Sequence, residues 1–220
     1  MTELIRENIA EGFGRIHQII TRALNVAREQ SAEYARTGFP SVIAEAGFAR
    51  YLQSLVAVLE GHHLSEDALA FPFIRDRLPD APYDRLEHEH RAMSDIVAGL
   101  RAATSDIGAD GRGLDRVHGA LSRILEMWGP HIQAEEQHFS LDALARVLEP
   151  EEHERLEHML TEFAQMHAGP DYLVVPFMLY NLPPSEREAL ARRLPPIITD
   201  HLVPVAWAEQ WAPMKPFLLA

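Results

Sequence analysis

Residues 62–72 read HHLSEDALAFP, and residues 131–138 read HIQAEEQH. Each stretch carries a histidine followed four residues later by a glutamate: His62 with Glu66, and His131 with Glu135. On an α-helix that step places two side chains about 40° apart, on one face. His63 lies about 60° from Glu66, so one site is able to engage His62, His63 and Glu66 together. The flanks, LQSLVAVLEG before and ALAFPFI after, are apolar and mark a core-facing segment. Imidazoles and carboxylates in a core cost free energy unless a partner satisfies them. Nitrogen and oxygen donors of this kind suit a transition-metal cation.

Two further histidines share this inward setting. His17 falls on one helical face with Phe13, Ile20 and Leu24, and His90 on one with Leu86, Met93 and Val97. His88 points away from that face. His131 and Glu135 share theirs with Ile124, Met127, Trp128 and His138. One inward histidine is ordinarily a hydrogen-bonded core residue. Four helical segments that each present one, two of them with a matched carboxylate, point to a metal centre. Carboxylates that bridge two cations, with imidazoles capping the ends, offset the cost of burial. Asp67 and Glu136 follow the two glutamates but lie about 100° further round, as surface groups or as partners behind the ligands.

The segments that must hold these residues read as helices separated by glycine and proline, with no strand alternation. We expect helices over residues 4–35, 41–78, 83–103 and 114–148, the last bent near Gly129-Pro130. Their lengths and short connections predict an all-α fold, an up-down four-helix bundle over residues 1–150. Residues 151–220 read as a helical C-terminal extension packed on the bundle, with helices at 151–167 and 185–194. A capping box of Ser185 with Glu188 is expected to start the latter. No internal repeat is evident. GADGRG follows no strand, so it reads as a turn and not a phosphate cradle.

Composition narrows the function. The formal net charge of −13 disfavours nucleic acid and anionic membrane as partners. The chain has no cysteine, which excludes disulfides, thiolate ligands and cysteine nucleophiles. MTELIRENIAEGFG contains acids and no apolar run, so it does not read as a signal peptide. The apolar run 172–180 is short for a membrane span and is interrupted by Pro176. A cytoplasmic protein, monomer or homodimer, is expected.

The ordered series H…HH-x-x-ED-x-x-x-FP…EH…H-x-x-x-EE over residues 5–148 resembles the hemerythrin-like, or HHE cation-binding, family. The resemblance implies two iron ions inside the bundle, with manganese or a mixed pair as variants. It implies that His17 and His62 bind one ion, that His90 and His131 bind the other, and that Glu66 and Glu135 bridge. Oxygen-carrying members place a second histidine four residues on in the third helix; here that residue is Ser94. His63 is the first candidate for the missing ligand, because an iron-sensing relative uses the corresponding residue. His138 is the second, although it sits about 10 Å along the helix from His131. The implied small ligands are O2, peroxide or NO. An oxidase acting on a small-molecule substrate held under the extension is the alternative.

Two other metal readings fit less well. A ferritin-like site requires E-x-x-H on two helices and an inward glutamate on the other two. Glu87 with His90 and Glu135 with His138 have that spacing, but the His17 face has no glutamate. HERLEH at 153–158 spaces its histidines by five, about 140° apart on a helix, which does not suit the zinc-hydrolase motif. His118, His153, His158 and His167 read as solvent-facing or ordinary core residues, and His201 has no assigned place.

Overall fold

The computed structural model describes residues 9–108 and 112–219, and the described residues contain helices and no strand. Four long helices form the bundle: α1 (Ile9–Thr37), α2 (Val42–Ser65), α4 (Tyr83–Ser105) and α5 (Arg112–His138). Each packs on two neighbours, in the closed order α1, α2, α4, α5 and back to α1. Short links between consecutive helices make the bundle up-down.

Local chemistry sets the helix ends. Gly38 closes α1 with a positive φ of 74°, and its N–H donates to Tyr34 O at 2.8 Å. Glycine reaches that left-handed conformation without a Cβ penalty. Ser41 caps α2 by accepting from the Ala44 N–H. The expected single helix 41–78 is interrupted. After Ser65 comes a π-helical turn over Glu66–Ala70, then the short α3 (Phe71–Ile74). Pro72 has no N–H to donate to the carbonyl four residues back, and its ring crowds that carbonyl. The turn widens in response, and the Phe71 N–H donates to Glu66 O. The expected helix 114–148 is also two helices. α5 runs unbroken through Pro130 to His138, and Ser140 caps a separate α6 (Leu141–Val147).

The remaining chain packs α7 (Pro150–His167), α8 (Asp171–Tyr180) and α9 (Pro184–Ala191) beside the bundle. A π-helical segment (Ile198–Ala206), α10 (Ala208–Trp211) and a 3-10 turn (Ala212–Phe217) complete it. The capping box expected at Ser185 does not form. α9 begins one residue earlier at Pro184, whose fixed φ suits a first helical position, with Pro183 as the cap. A box forms instead at the start of α7, where the Glu149 N–H donates to Glu152 Oε2 at 3.1 Å.

The apolar core is continuous between bundle and extension: Phe177, Trp211, Met214 and Phe217 are buried together with Phe48 and Tyr51 of α2. The 3-10 turn lies so close to α2 that a Cβ on Gly47 would stand 2.0 Å from Pro213 O. A buried polar knot fastens the same region. Tyr51 OH donates to Asn181 Oδ1 at 2.9 Å, Arg22 donates to the same oxygen and to Phe217 O, and Asn181 Nδ2 donates to Phe177 O. Val42–Ile74 is long and apolar enough by composition to cross a membrane, and half of its most apolar window is buried inside the protein. Its apolarity has a ready use as the bundle's core helix.

Candidate metal centre

The bundle interior brings together all seven residues singled out in the sequence. His17 comes from α1, His62 and His63 from α2, Glu66 from the π turn, His90 from α4, and His131 and Glu135 from α5. Each is at most 6% exposed. They form two adjacent groups: His17, His62, Glu66 and Glu135 in one, and His63, His90 and His131 in the other. Within each group, one donor atom from every residue lies within 4.8 Å of the rest.

The two carboxylates lie between the groups. Glu135 turns Oε2 toward His17 Nε2 at 3.2 Å, and Oε1 toward His131 Nε2 at 3.2 Å and His90 Nε2 at 3.6 Å. Glu66 Oε2 is 3.6 Å from both His62 Nε2 and His90 Nε2. His63 stacks on His90 at 4.2 Å between ring centroids, which sets it in the second group. Ser94 is exposed on α4 and takes no part. His138 is not among the converging residues; its Nδ1 donates to Ala134 O.

A second layer of carboxylates fixes the imidazoles. His17 Nδ1 donates to Glu136 Oε1 at 2.9 Å, His90 Nδ1 to Asp67 Oδ1 at 2.7 Å, and His131 Nδ1 to Glu89 Oε2 at 2.9 Å. A carboxylate in these pairs is the acceptor, so each ring carries its proton on Nδ1. Nε2 is then left to face the centre as a lone pair, the arrangement that metal-bound histidines adopt. The acid after each central glutamate thus orients the histidine of the other helix pair: Asp67 serves His90, and Glu136 serves His17. Asp67 lies in the π turn and reaches His90 of α4 from there. Glu89 was not foreseen. Its only signal was an acid directly before an inward histidine. Trp128 was also missed as a site residue. Its ring packs within about 6 Å of His17, His62, His63 and His131, and its indole N–H donates to Thr21 Oγ1.

The fit to a cation can be tested on the polar atoms themselves. His17 Nε2, His62 Nε2, His63 Nε2, Glu66 Oε2 and both oxygens of Glu135 are buried without a hydrogen-bond partner. The 3.2 Å His17–Glu135 approach lacks the alignment that a hydrogen bond needs, and His62–Glu66 at 3.6 Å is too long for one. Buried orphan donors and acceptors are rare in folded proteins and costly. Here they cluster in the two adjacent groups, where cations would satisfy them. His90 Nε2 and His131 Nε2 face each other at 3.0 Å, and two lone pairs so placed repel unless a proton or a cation lies between them. Glu66 and Glu135, with Asp67, Glu89 and Glu136 behind, supply enough negative charge to compensate two divalent ions.

The side chains alone divide their protons unevenly. Burial drives His62 and His63 well below the usual histidine range, aided by the charge of neighbouring histidines. Burial also pulls on His17 and His90, but it is outweighed. Glu135 and Glu136 hold His17 above its ordinary value, and Asp67 and Glu135 do the same for His90. Burial, with the charges of Glu135 and Asp67, pushes Glu66 well above the carboxylate range. Burial works against Glu135 too, yet the close imidazoles of His131, His17 and His90 hold it well below.

The other histidines stand apart. His88, His158, His167 and His201 are exposed, and His118 and His153 are half-buried away from the centre. HERLEH forms no metal-holding group among the described residues. Glu87, the glutamate of the ferritin-like reading, is turned outward to Arg75.

Among known families, the chain matches the model of the hemerythrin HHE cation binding domain over residues 8–140, and again over residues 81–201. No curated protein and no solved structure matches it. The second match begins with the α4–α5 pair, which repeats the ligand order of α1–α2: a histidine on the first helix, then H-x-x-x-E on the second. The first match spans more than half of the chain and contains every one of the converging histidines and glutamates, so the chain belongs to the hemerythrin HHE cation binding domain family.

Proposed function

We propose that this chain is a non-heme di-iron protein that binds or reacts with O2, peroxide or NO. The observation that carries the reading is the shared position of Glu66 and Glu135 between two groups of inward imidazoles. His17 and His62 would hold one ion, and His63, His90 and His131 the other, with Glu66 and Glu135 placed between the two groups. His63 takes the place of the histidine that α4 lacks at Ser94. Manganese or a mixed pair suits the same nitrogen and oxygen donors. Iron, when bound, supplies redox chemistry and an open coordination position for a small ligand.

The protein's own residues do the rest. Asp67, Glu89 and Glu136 hold three imidazoles in the ligating tautomer. The apolar packing around Trp128 keeps water from the inner face of the cluster. The first position has two histidines and the second has three, so the first is the natural place for an external ligand.

The enzyme alternative, an oxidase of a small organic molecule, is favoured by a cleft of about 360 Å³ that reaches His17 and Glu135. That volume exceeds what a diatomic ligand needs. The cleft lies between α1, α5 and α6, however, and not under the extension. The cavity that does lie under the extension, bounded by Gln53, Arg101 and Tyr172, is lined by none of the converging residues.

Anaerobic loading with ferrous iron, followed by oxygen, tests the proposal. We expect two irons per chain and an optical band on exposure to oxygen. A long-lived, reversible adduct means binding; rapid irreversible oxidation means oxidase chemistry. Two-metal occupancy that survives both Glu66→Ala and Glu135→Ala would overturn the bridging assignment.

A further inference from the structure

We propose that the cleft between α1, α5 and α6 is the entrance to the metal centre, and that it admits neutral small molecules in preference to anions. The inference rests on the dinuclear reading above and adds a route and a selectivity to it. The cleft's inner end is formed by His17 and Glu135, whose Nε2 and carboxylate oxygens are buried and have no hydrogen-bond partner. These belong to the two-histidine position, where an external ligand has room to bind. The apolar lining includes Phe13 of α1 and Phe139 after α5, and the carboxylates that line the cleft are the exposed Glu11 and Glu136 and the buried Glu135. No lysine or arginine is among the described lining residues. Arg15, the nearest cation along α1, is engaged by Glu186 of α9.

Charges of one sign along a low-dielectric cleft focus the field, and effects of about 10- to 1000-fold on association rates follow from such focusing. Dioxygen, nitric oxide and hydrogen peroxide are neutral and enter without this penalty. Azide, an anion, meets it. Gly14 lines the cleft, and a Cβ built there meets nothing within 4 Å. A larger side chain at this position therefore grows into open space and narrows the passage without disturbing α1. It also raises helix propensity.

The chain contains no cysteine, so Gly14→Cys gives a single thiol reporter inside the cleft. In the full-length, iron-loaded protein, its alkylation by neutral iodoacetamide is compared with that by anionic iodoacetate. The ratio is referred to the same ratio for a small neutral thiol. We expect iodoacetate to be disfavoured by a further fivefold or more at low salt. Adding Glu11→Gln, or about 0.5 M salt, should remove much of that factor. A ratio equal to the free thiol's overturns the charge preference. In parallel, Gly14→Leu should slow nitric oxide binding at least tenfold with metal content unchanged; an unchanged rate overturns the route. Failure of the protein to take up iron would refute the dinuclear reading instead, and the alkylation ratio of the metal-free protein would still report on the cleft.

Discussion

Asp67 offers the sharpest test of the second carboxylate layer. Its Oδ1 accepts from His90 Nδ1 at 2.7 Å, and its side chain is 34% exposed. Asp67→Asn keeps an acceptor but removes the charge, and Asp67→Ala removes both. Partners of this kind contribute roughly 10- to 100-fold to metal affinity, about 1.4 to 2.7 kcal/mol. Partial exposure screens the charge, so the asparagine variant belongs near the lower figure and the alanine variant near the upper. The loss should fall on the His63/His90/His131 position. A competition titration with cobalt(II) against a chelator should then turn from two similar steps into one strong and one weakened step. A pH control separates binding from folding. Asp67 helps hold His90 above its ordinary 6.5. The stability this pair gives the metal-free fold is full below pH 6.5 and is lost as pH rises through the raised value. At a pH above that raised value the metal-free variant should therefore melt close to wild type while its affinity is still reduced. Affinity within twofold of wild type would refute the orienting role. A loss of metal-free stability that persists unchanged as pH rises would assign Asp67 to the fold instead.

Other outcomes follow from the same geometry. His63→Ala should leave the bundle folded but change the optical spectrum of the iron-loaded protein; an identical spectrum would remove His63 from the ligand set. Metal affinity should fall as pH drops through the raised values of His17 and His90, so from above 6.5, by up to roughly tenfold per unit for each histidine that must shed a proton, while His62 and His63 add little; a titration from pH 8 to 5 will read it. Gly47→Ala drives a Cβ into Pro213 O and should cost about 1–3 kcal/mol, roughly 2–12 °C in melting temperature, with metal content unchanged. Asn181→Ala leaves Tyr51 OH without its acceptor and takes one from Arg22; calorimetry should show a loss of about 2–4 kcal/mol. Deletion of 151–220 bares Phe48 and Tyr51 to water, so the truncated protein should aggregate; a soluble product would contradict the shared core.

The bundle helices and the inner ligands were legible in the sequence because both obey one short-range rule. A helix repeats every 3.6 residues, so apolar periodicity and the H-x-x-x-E spacing report the same inward face. His17, His62, Glu66, His90, His131 and Glu135 could be placed toward the core without knowing where any other helix lay. What the linear pattern could not supply was the pairing between helices. Asp67 and Glu136 lie about 100° off their own inward face, so the pattern left them as surface groups or as partners behind the ligands. The tertiary structure chose the second, because α4 and α1 bring His90 and His17 within hydrogen-bond distance. Glu89 and Trp128 were missed for the same reason, since their partners sit on other helices. His63 lay about 60° from Glu66 by angle, and only the tertiary structure shows it stacked on His90. The π turn at Glu66 and the break before α6 were also hidden, because Pro72 and Ser140 act through backbone hydrogen bonds that periodicity does not register. The cleft's position was settled last of all, by where α6 leaves α5. Spacing along one helix is fixed by covalent geometry and is written in the sequence; contact between helices depends on how whole faces pack, and that belongs to the tertiary structure.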